Sequence, residues 1–168
     1  MNWSSFSSAA PELAAFGRER FEAAGLALVG TLRKDGSPRI SPLEPLIHDG
    51  ELYLGMMWQS RKALDLLRDP SCLVQTTVRD REDLAGELKL RGRAVGIDDA
   101  DAIERYCRAL QEAINWRLEG QFHLFALDIE RADLIRYQEN GDQLLREWRP
   151  GNPPRERVRR WTGSGLVD

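Results

Sequence analysis

The chain has 168 residues, of which 42% are hydrophobic and 30% are charged, and its formal net charge is −3. This length suits one domain with a substantial core and is too short for two ordinary domains. No apolar run is long enough to span a bilayer, and the near-neutral charge provides no global positive field to attract nucleic acid. We therefore expect one soluble domain that binds neither membrane nor nucleic acid, in which any anion site is local.

The sequence contains only two cysteines, Cys72 and Cys107, and two histidines, His48 and His123. No CxxC pair and no cluster of His, Cys or carboxylates occurs at the spacing of metal ligands. We interpret both thiols as core residues and both histidines as structural, and we predict no metal site. Residues 1–10 are polar and Ser-rich and do not resemble a secretory signal, so the cytoplasm is the expected compartment.

The first part of the chain predicts one helix followed by strands with tight turns. Leu13, Phe16 and Phe21 have the spacing of an amphipathic helix, and the Asp-Gly pairs at 35–36 and 49–50 provide the positive φ of hairpin turns. Prolines cannot donate to a strand ladder, so the strand that carries prolines 42 and 45 must be bent or interrupted there. The predicted elements are a helix over 11–24 and strands over 26–32, 38–47 and 51–57, the strands forming an antiparallel meander.

The second part of the chain predicts two further helices among four strands. Asp69-Pro70 ends a helix that starts at Ser60, and residues 87–97 alternate apolar and polar as a strand with one wet or cofactor-facing side does. The predicted elements are a helix over 60–68, a strand over 72–78, a loop over 79–85, a strand over 87–97, a helix over 102–118, and strands over 122–137 and 143–148.

Strands outnumber helices and are joined mostly by short turns, which favours a small closed or partly closed antiparallel barrel. We expect residues 1–150 to form this single domain. Residues 151–168 form a Pro-, Gly- and Arg-rich tail without apolar periodicity, which is predicted to be either disordered or laid over a partner. The tail contains four arginines, Arg155, Arg157, Arg159 and Arg160.

The best anion site in the sequence is the start of the helix after residue 57. Ser60, Arg61 and Lys62 combine a hydroxyl and two cations with the free backbone N–H groups and the positive dipole end of a helix N-terminus. Such a set can hold a phosphate. The alternative is an N-capped amphipathic helix that carries two solvated cations.

Three segments of the chain share their order and spacing with one known family. They read Thr-Leu-x-x-Asp-Gly-x-Pro-Arg-Ile-Ser-Pro from Thr31, Asp-Gly-Glu-Leu-Tyr-Leu from Asp49, and Ser-Arg-Lys-Ala-x-Asp-Leu-x-x-Asp-Pro from Ser60. Together they resemble the pyridoxamine 5′-phosphate oxidase-like family of flavin-binding split barrels, over about residues 26–97. The resemblance implies a mainly β (α+β) fold, a split antiparallel β-barrel of six to eight strands with flanking helices. It also implies a homodimer that binds FMN in clefts between its subunits.

The resemblance further implies a set of cofactor-binding residues. One group on the second strand would line the cofactor, with an arginine near its phosphate or ribityl chain. A Gly-Met pair would present its backbone to the isoalloxazine edge, and the Ser-Arg-Lys triplet would hold the phosphate. A glutamate stands where the oxidase has a glutamine that reaches the flavin from the other subunit. The implied residues are Arg39, Ile40, Ser41, Gly55, Met56, Ser60, Arg61, Lys62 and Glu87.

The chain also departs from the oxidase pattern. It has no counterpart to the Arg-Gln-x-Arg segment that precedes the family glycine, since it reads Gly86-Glu87-Leu88-Lys89-Leu90-Arg91-Gly92, and it lacks the Arg-Leu-His substrate motif near the C-terminus. Oxidation of a vitamin B6 phosphate is therefore not assigned. The expected function is an FMN-dependent oxidoreductase acting on an unidentified small molecule, with no side chain named as acid or base. The alternatives are a deazaflavin (F420)-dependent reductase and a non-catalytic dimeric protein that binds flavin or heme.

Overall fold

The computed structural model describes residues 1–80, 82–116 and 120–168. Within these residues the chain forms four helices and ten strands. The helices are α1 (Trp3–Ala9), α2 (Pro11–Ala24), α3 (Arg61–Arg68) and α4 (Ala100–Ile114). The strands are β1 (Ala27–Leu32), β2 (Pro38–Leu43), β3 (Pro45–His48), β4 (Glu51–Met57), β5 (Ser71–Thr76), β6 (Glu87–Gly96), β7 (Phe122–Tyr137), β8 (Gln143–Trp148), β9 (Arg155–Trp161) and β10 (Leu166–Val167).

The strands pair antiparallel along a path that turns back toward its own start. The order is β2–β1–β5–β6–β7, after which the first part of β7 pairs with β4, and β4 pairs with β3. Only Glu44 separates β2 from β3 in the chain, so the two ends of this path are adjacent. Among the described strands β2 pairs with β1 alone and β3 with β4 alone, which leaves the barrel split at this point.

The predicted fold class is confirmed, since the molecule is mainly antiparallel sheet, 43% strand and 27% helix, with flanking helices. Strand β7 joins the two halves of the barrel: its Leu124 lies opposite Gly55 of β4, and its Ile135 lies opposite Glu87 of β6. A bulge in β7 at Glu130, opposite Arg91 and Gly92 of β6, bends the sheet between these ends. A Cβ on Gly92 would lie 2.0 Å from the backbone oxygen of Asp128, so only glycine fits there.

Several elements begin and end at the predicted residues, because local signals set their limits. Helix α2 has Pro11 at its first turn and ends at Gly25, whose φ of 64° is the left-handed cap that glycine favours. Strands β4, β7 and β8 likewise have the predicted bounds. Helix α3 begins directly after Ser60, its N-cap, and stops at Asp69 before Pro70.

Helix α1 was not predicted, because the segment is Ser-rich. Asn2 caps it, its side-chain oxygen accepting a hydrogen bond from the Ser5 backbone N–H at 3.0 Å. Trp3 and Phe6 are both buried and three residues apart, and Phe6 packs on Trp148 with ring centroids 5.0 Å apart. A polar N-cap followed by two aromatic residues at helical spacing was the available signal.

The strand predicted over 38–47 is interrupted, as expected from its two prolines: β2 and β3 are separated by Glu44, so the meander is not continuous. The predicted bounds of one helix need correction. Helix α4 starts at Ala100, two residues before the predicted start, because Asp99 caps it by accepting from the Ala102 N–H at 2.8 Å. It ends at Ile114, before Asn115 in the left-handed conformation. The predicted end, Leu118, lies outside the described residues, as does Arg81 of the predicted loop over 79–85.

Of the two alternatives for the C-terminal tail, disordered or laid over a partner, the first is wrong, and the second stays a prediction. Residues Arg155–Trp161 form β9, which pairs with β8 and places Val158 opposite Leu144. The sequence did not predict this strand, because its side chains are mostly exposed and charged and show no apolar alternation. Arg157 and Arg159 form ion pairs with Asp168, at 3.3 and 2.9 Å.

Two apolar clusters form the core. The larger one fills the barrel and includes α1, α2 and Trp148. The smaller one lies between α4 and the strands β4 and β7 and is built on Tyr53, Tyr106 and Leu124. Cys107 is buried there, and Cys72 packs against the larger cluster, as expected for core thiols. No helix in the described chain has the length and hydropathy that a membrane crossing requires.

Candidate functional site

The turn between β4 and α3 carries the predicted phosphate-binding residues, of which only Arg61 is exposed. Gln59 has a φ of 56°, and the Ser60 N–H donates to the Met57 carbonyl at 3.1 Å, which reverses the chain. The Gln59 N–H donates to Nε2 of His123 at 3.3 Å. The His123 ring also stacks on Trp58, with centroids 4.4 Å apart and planes inclined by 14°. His123 of β7 therefore supports the turn from which α3 starts.

The first turn of α3 contains hydrogen-bonding groups that the described protein residues do not satisfy. Its first intrahelical bond runs from the Leu64 N–H to the Ser60 carbonyl at 3.0 Å, so the N–H groups before Leu64 have no acceptor within the helix. Ser60 is the N-cap, yet its hydroxyl accepts no capping hydrogen bond. Ser60 Oγ is buried and has no hydrogen-bond partner among the described residues. A buried hydroxyl without a partner is uncommon and indicates a missing ligand or water.

The two cations of this turn differ in their surroundings. Arg61 is exposed and has no ion-pair or hydrogen-bond partner within the described part of the chain. Lys62 is half-buried, and its Nζ donates to the Pro42 carbonyl. Burial lowers the pKa of Lys62, and the nearby carboxylate of Glu44 acts in the opposite direction. The Arg61 guanidinium therefore keeps its donors for an anion, whereas the Lys62 ammonium already uses one donor on Pro42.

Lys62 lines a cavity of about 320 Å³ together with Gly55 and Met56, two of the other predicted residues. The remaining lining is largely apolar and comes from the residue before β1, from β2 and β4, and from the region of α4. It also includes the acidic residue Glu44, between β2 and β3. The other lining residues are Leu26, Pro42, Met57, Tyr106, Leu110 and Trp116.

Arg39 and Ile40 lie at a second cavity, of about 520 Å³, on another part of the barrel. The Arg39 Nε donates to Oδ2 of Asp65 at 2.7 Å, and Thr31 Oγ1 donates to the same oxygen at 3.0 Å. Arg68 donates to the other Asp65 oxygen at 3.3 Å. Burial acts to raise the pKa of Asp65, but these three hydrogen bonds outweigh it and hold the pKa below its usual value.

Cys72 lines the same cavity, and burial raises its pKa to about 12, so its thiol is protonated at neutral pH.

The structure thus divides the predicted residues into groups. Gly55, Met56 and Lys62 share one cavity, whereas Arg39 and Ile40 line another. Ser41 lies on β2 opposite Val29 and lines neither cavity. Glu87 lies at the far end of β6, where it forms an ion pair with Lys89. In one chain Glu87 is opposite Ile135, at the other end of β7 from Leu124 and Gly55.

Three residues with a part in this geometry were not recognised as such in the sequence. Asp65, the partner of Arg39, was detectable as one charged residue between two leucines in an amphipathic helix. His123 and Glu44 left no local signal, because their neighbours Gln59 and Lys62 are distant in sequence. Among the described residues no group of three His, Cys, Asp or Glu side chains is placed to hold a metal ion.

Comparison with known proteins identifies the class of protein that this fold and site define. A family model described as pyridoxamine 5′-phosphate oxidase matches residues 13–136, more than half of the chain. The chain therefore belongs to the pyridoxamine 5′-phosphate oxidase-like family, as the resemblance implied. A search of curated protein sequences finds no match.

Solved structures show the same fold at low sequence identity. A heme binding protein from Mycobacterium smegmatis is similar with a TM-score of 0.60 and 19% identity, over 80% of this chain and 57% of that chain. The present chain thus spans little more than half of that relative. PhzG from Burkholderia lata 383, solved with tetrahydrophenazine-1-carboxylic acid, gives a TM-score of 0.61 and 12% identity, over 90% of this chain and 89% of that chain. A putative pyridoxamine 5′-phosphate oxidase from Listeria innocua is similar with a TM-score of 0.57 and 18% identity, over 70% of this chain and 93% of that chain.

Proposed function

We propose that the protein binds FMN between two copies of the chain and acts as an FMN-dependent oxidoreductase on a small molecule. The observation that carries this proposal is the first turn of α3. There Ser60 Oγ is buried, and neither it nor the Arg61 guanidinium has a partner among the described residues; the backbone N–H groups beside them have no intrahelical acceptor. A phosphate dianion supplies acceptors for all of these donors at once.

The residues present fit a flavin phosphate in charge as well as in hydrogen bonding. Arg61 and Lys62 provide two positive charges, and the helix dipole adds a partial one. Glu44 lowers this total on one side of the cavity, next to Lys62. The site therefore suits one phosphate monoester better than a polyphosphate.

The cavity beside Lys62 would receive the non-phosphate part of the cofactor. Its walls are mostly apolar, and Gly55 and Met56 bring a strand backbone to its edge. Bound there, FMN supplies the hydride or electron chemistry. The chain's own residues anchor the phosphate, orient the ring and exclude water. We name no side chain as a proton donor or acceptor.

Two copies of the chain are part of the proposal. Glu87 lies at the opposite end of β7 from Gly55, so it can contribute to this site only from a second copy. Ile40 is 72% exposed and Met57 is 71% exposed, although both are large apolar residues beside the two cavities. A second copy that covers these side chains would remove apolar surface from water.

A second candidate is a dimeric protein that holds flavin or heme without turnover. The structural likeness to the Mycobacterium smegmatis heme binding protein favours it. Ser60, Arg61 and Lys62 together provide donors and charge that suit a phosphate. This favours FMN over heme, whose anionic groups are carboxylates. The deazaflavin F420 is the alternative cofactor for a reductase.

The first experiment compares the absorption spectrum of the purified protein before and after separate additions of FMN, F420 and hemin. We expect a saturable flavin spectrum with FMN. The double variant Arg61→Ala/Lys62→Ala should weaken FMN by about a hundredfold or more, since each charge-assisted contact is worth about 1.5–3 kcal/mol. Riboflavin, which lacks the phosphate, should bind the variant and the parent equally.

The matched control is Lys34→Ala/Arg108→Ala, which removes the same charge from a hairpin turn and from the exposed side of α4. It should leave FMN affinity unchanged. Equal weakening of FMN and riboflavin by the first double variant would contradict the phosphate assignment. A response to hemin alone would replace the flavin proposal with the heme-binding candidate. Bound flavin with no reduction by nicotinamide or deazaflavin donors would favour the protein without turnover.

A further inference from the structure

A third cavity, of about 360 Å³, lies between α2 and the ends of β5 and β7. Its lining includes Phe16 and Arg20 of α2, Arg79 after β5, and Arg136 near the end of β7. None of its lining residues belongs to the two cavities described above. It is a separate feature, at the end of β7 opposite to Leu124 and the start of α3.

One wall of this cavity is fixed by a buried ion pair. The Nη2 of Arg20 donates to Asp83 Oδ2 at 2.5 Å and to the Thr77 carbonyl at 2.8 Å. Asp83 also accepts from the backbone N–H groups of Arg79, at 3.0 Å, and Ala85, at 3.3 Å. The hydrogen bond from Arg20 is the main cause that lowers the pKa of Asp83. Asp83 is therefore charged at neutral pH and compensates one arginine.

The other two arginines are less well compensated. The Arg136 guanidinium lies over the Phe16 ring, 5.2 Å from its centroid, and has no ion pair with any described carboxylate. The Arg79 side chain is 79% exposed and reaches Asp83 only at 3.5 Å. Among the described residues that line the cavity, the acidic one is the exposed Glu19, with Asp83 behind the wall. Within the described part of the chain, three guanidinium groups thus meet two carboxylates there.

The geometry points to a second anion site, which we propose binds a small molecule carrying a phosphate or carboxylate group. Arg136 is oriented by its contact with Phe16, which leaves its N–H donors free for an oxyanion. Arg79 supplies a second guanidinium, and Arg20 holds the wall in place. Phe16, Ala23 and Ala24 provide an apolar surface for a small organic group. The cavity volume lies at the lower end of the range for small-molecule sites, about 300–1,000 Å³.

The test uses isothermal titration with phenyl phosphate and with inorganic phosphate, at constant ionic strength. The background is the Arg61→Ala/Lys62→Ala variant of the full chain, in which phosphate binding at the start of α3 is expected to be about a hundredfold weaker. We expect saturable binding of phenyl phosphate. Arg136→Met, which keeps an apolar stem on Phe16, and Arg79→Gln should each weaken binding about tenfold or more.

The control Arg108→Gln, on the exposed side of α4, should leave binding unchanged, and thermal unfolding checks that every variant is folded. Weaker binding of inorganic phosphate would identify an organic anion as the ligand, and equal affinity would identify free phosphate. The proposal is overturned if no saturable heat is measured, or if both arginine variants bind like the background protein. Because FMN is absent, these outcomes are independent of the proposed cofactor.

Discussion

Helix α3 carries polar groups in two different situations, one at its first turn and one in its middle. At the first turn, Ser60 Oγ is buried without a partner and Arg61 has no counter-ion among the described residues. In the middle, the Asp65 side chain is buried but accepts hydrogen bonds from Arg39, Thr31 and Arg68. Unsatisfied groups cost free energy unless a ligand completes them, whereas a satisfied cluster only holds the fold together. By this criterion the first turn of α3 is the candidate binding site, and the Asp65 cluster is the structure that supports it.

The resemblance assigned Arg39 to the cofactor, but in this structure the Arg39 side chain is bound to Asp65. Only its Nε makes this bond, and Arg39 also lines the second cavity, so its assignment to the cofactor stays a prediction. We therefore expect substitutions at the first turn of α3 and in its middle to have different effects. Changes around Asp65 should act on stability first, and changes around Ser60 should act on cofactor binding first.

The largest expected effect is on stability, from Asp65→Asn. Removing the charge weakens three hydrogen bonds and leaves Arg39 half-buried beside a neutral amide. We expect the free energy of unfolding to fall by about 3 kcal/mol, as for the loss of one partner of a buried ion pair. Urea denaturation measures it. Asp98→Asn, at an exposed position, is the control and should have almost no effect. A loss as small as that of the control would show that the cluster is not structural.

The acid dependence of stability should follow from the same carboxylates. The pKa values of Asp65 and Asp83 are lowered in the folded protein, so each contributes stability above its unfolded pKa of about 4, and this contribution is lost as the pH falls through the folded value. Stability should therefore decline below about pH 4. In Asp65→Asn part of this decline should disappear. Urea midpoints measured from pH 6 to pH 3 would show an unchanged acid slope if Asp65 is not linked to folding.

A smaller effect, on binding, is expected from Ser60→Ala. FMN affinity should fall by about tenfold, the value of one hydrogen bond to a charged group. Stability should remain within about 0.5 kcal/mol of the parent, because Ser60 Oγ makes no capping bond to lose. Fluorescence titration measures the FMN affinity, and urea denaturation measures the free energy of unfolding. A stability loss of about 1 kcal/mol with unchanged FMN affinity would identify Ser60 as an ordinary N-cap.

The smallest expected effect is that of His123→Phe. The substitution keeps a ring stacked on Trp58 and removes the Nε2 acceptor of the Gln59 N–H. FMN affinity should fall roughly twofold to tenfold, the range for one neutral hydrogen bond that orients the turn before Ser60. His48→Phe serves as the control and should leave FMN affinity unchanged. Equal affinities for the parent and His123→Phe would show that Nε2 does not position this turn.

The sequence by itself determined the elements whose limits are local. Helix α2 between Pro11 and Gly25, strand β4 after Asp49-Gly50, and the start of α3 at Ser60 follow from proline, glycine and capping residues. Such signals act within one turn of chain, so no knowledge of the fold is needed to find them. The three motifs in register also sufficed to identify the family and its split barrel.

Only the tertiary structure decided which of these residues meet. Arg39 and Asp65 are far apart in sequence, and their pairing moves Arg39 to a different cavity from Lys62. Strand β9 exists because β8 offers it an edge to pair with, although its own side chains are mostly exposed. Pairing between distant segments depends on strand order and burial, which local patterns do not encode. The unpartnered hydroxyl of Ser60 could likewise be recognised only once its surroundings were packed.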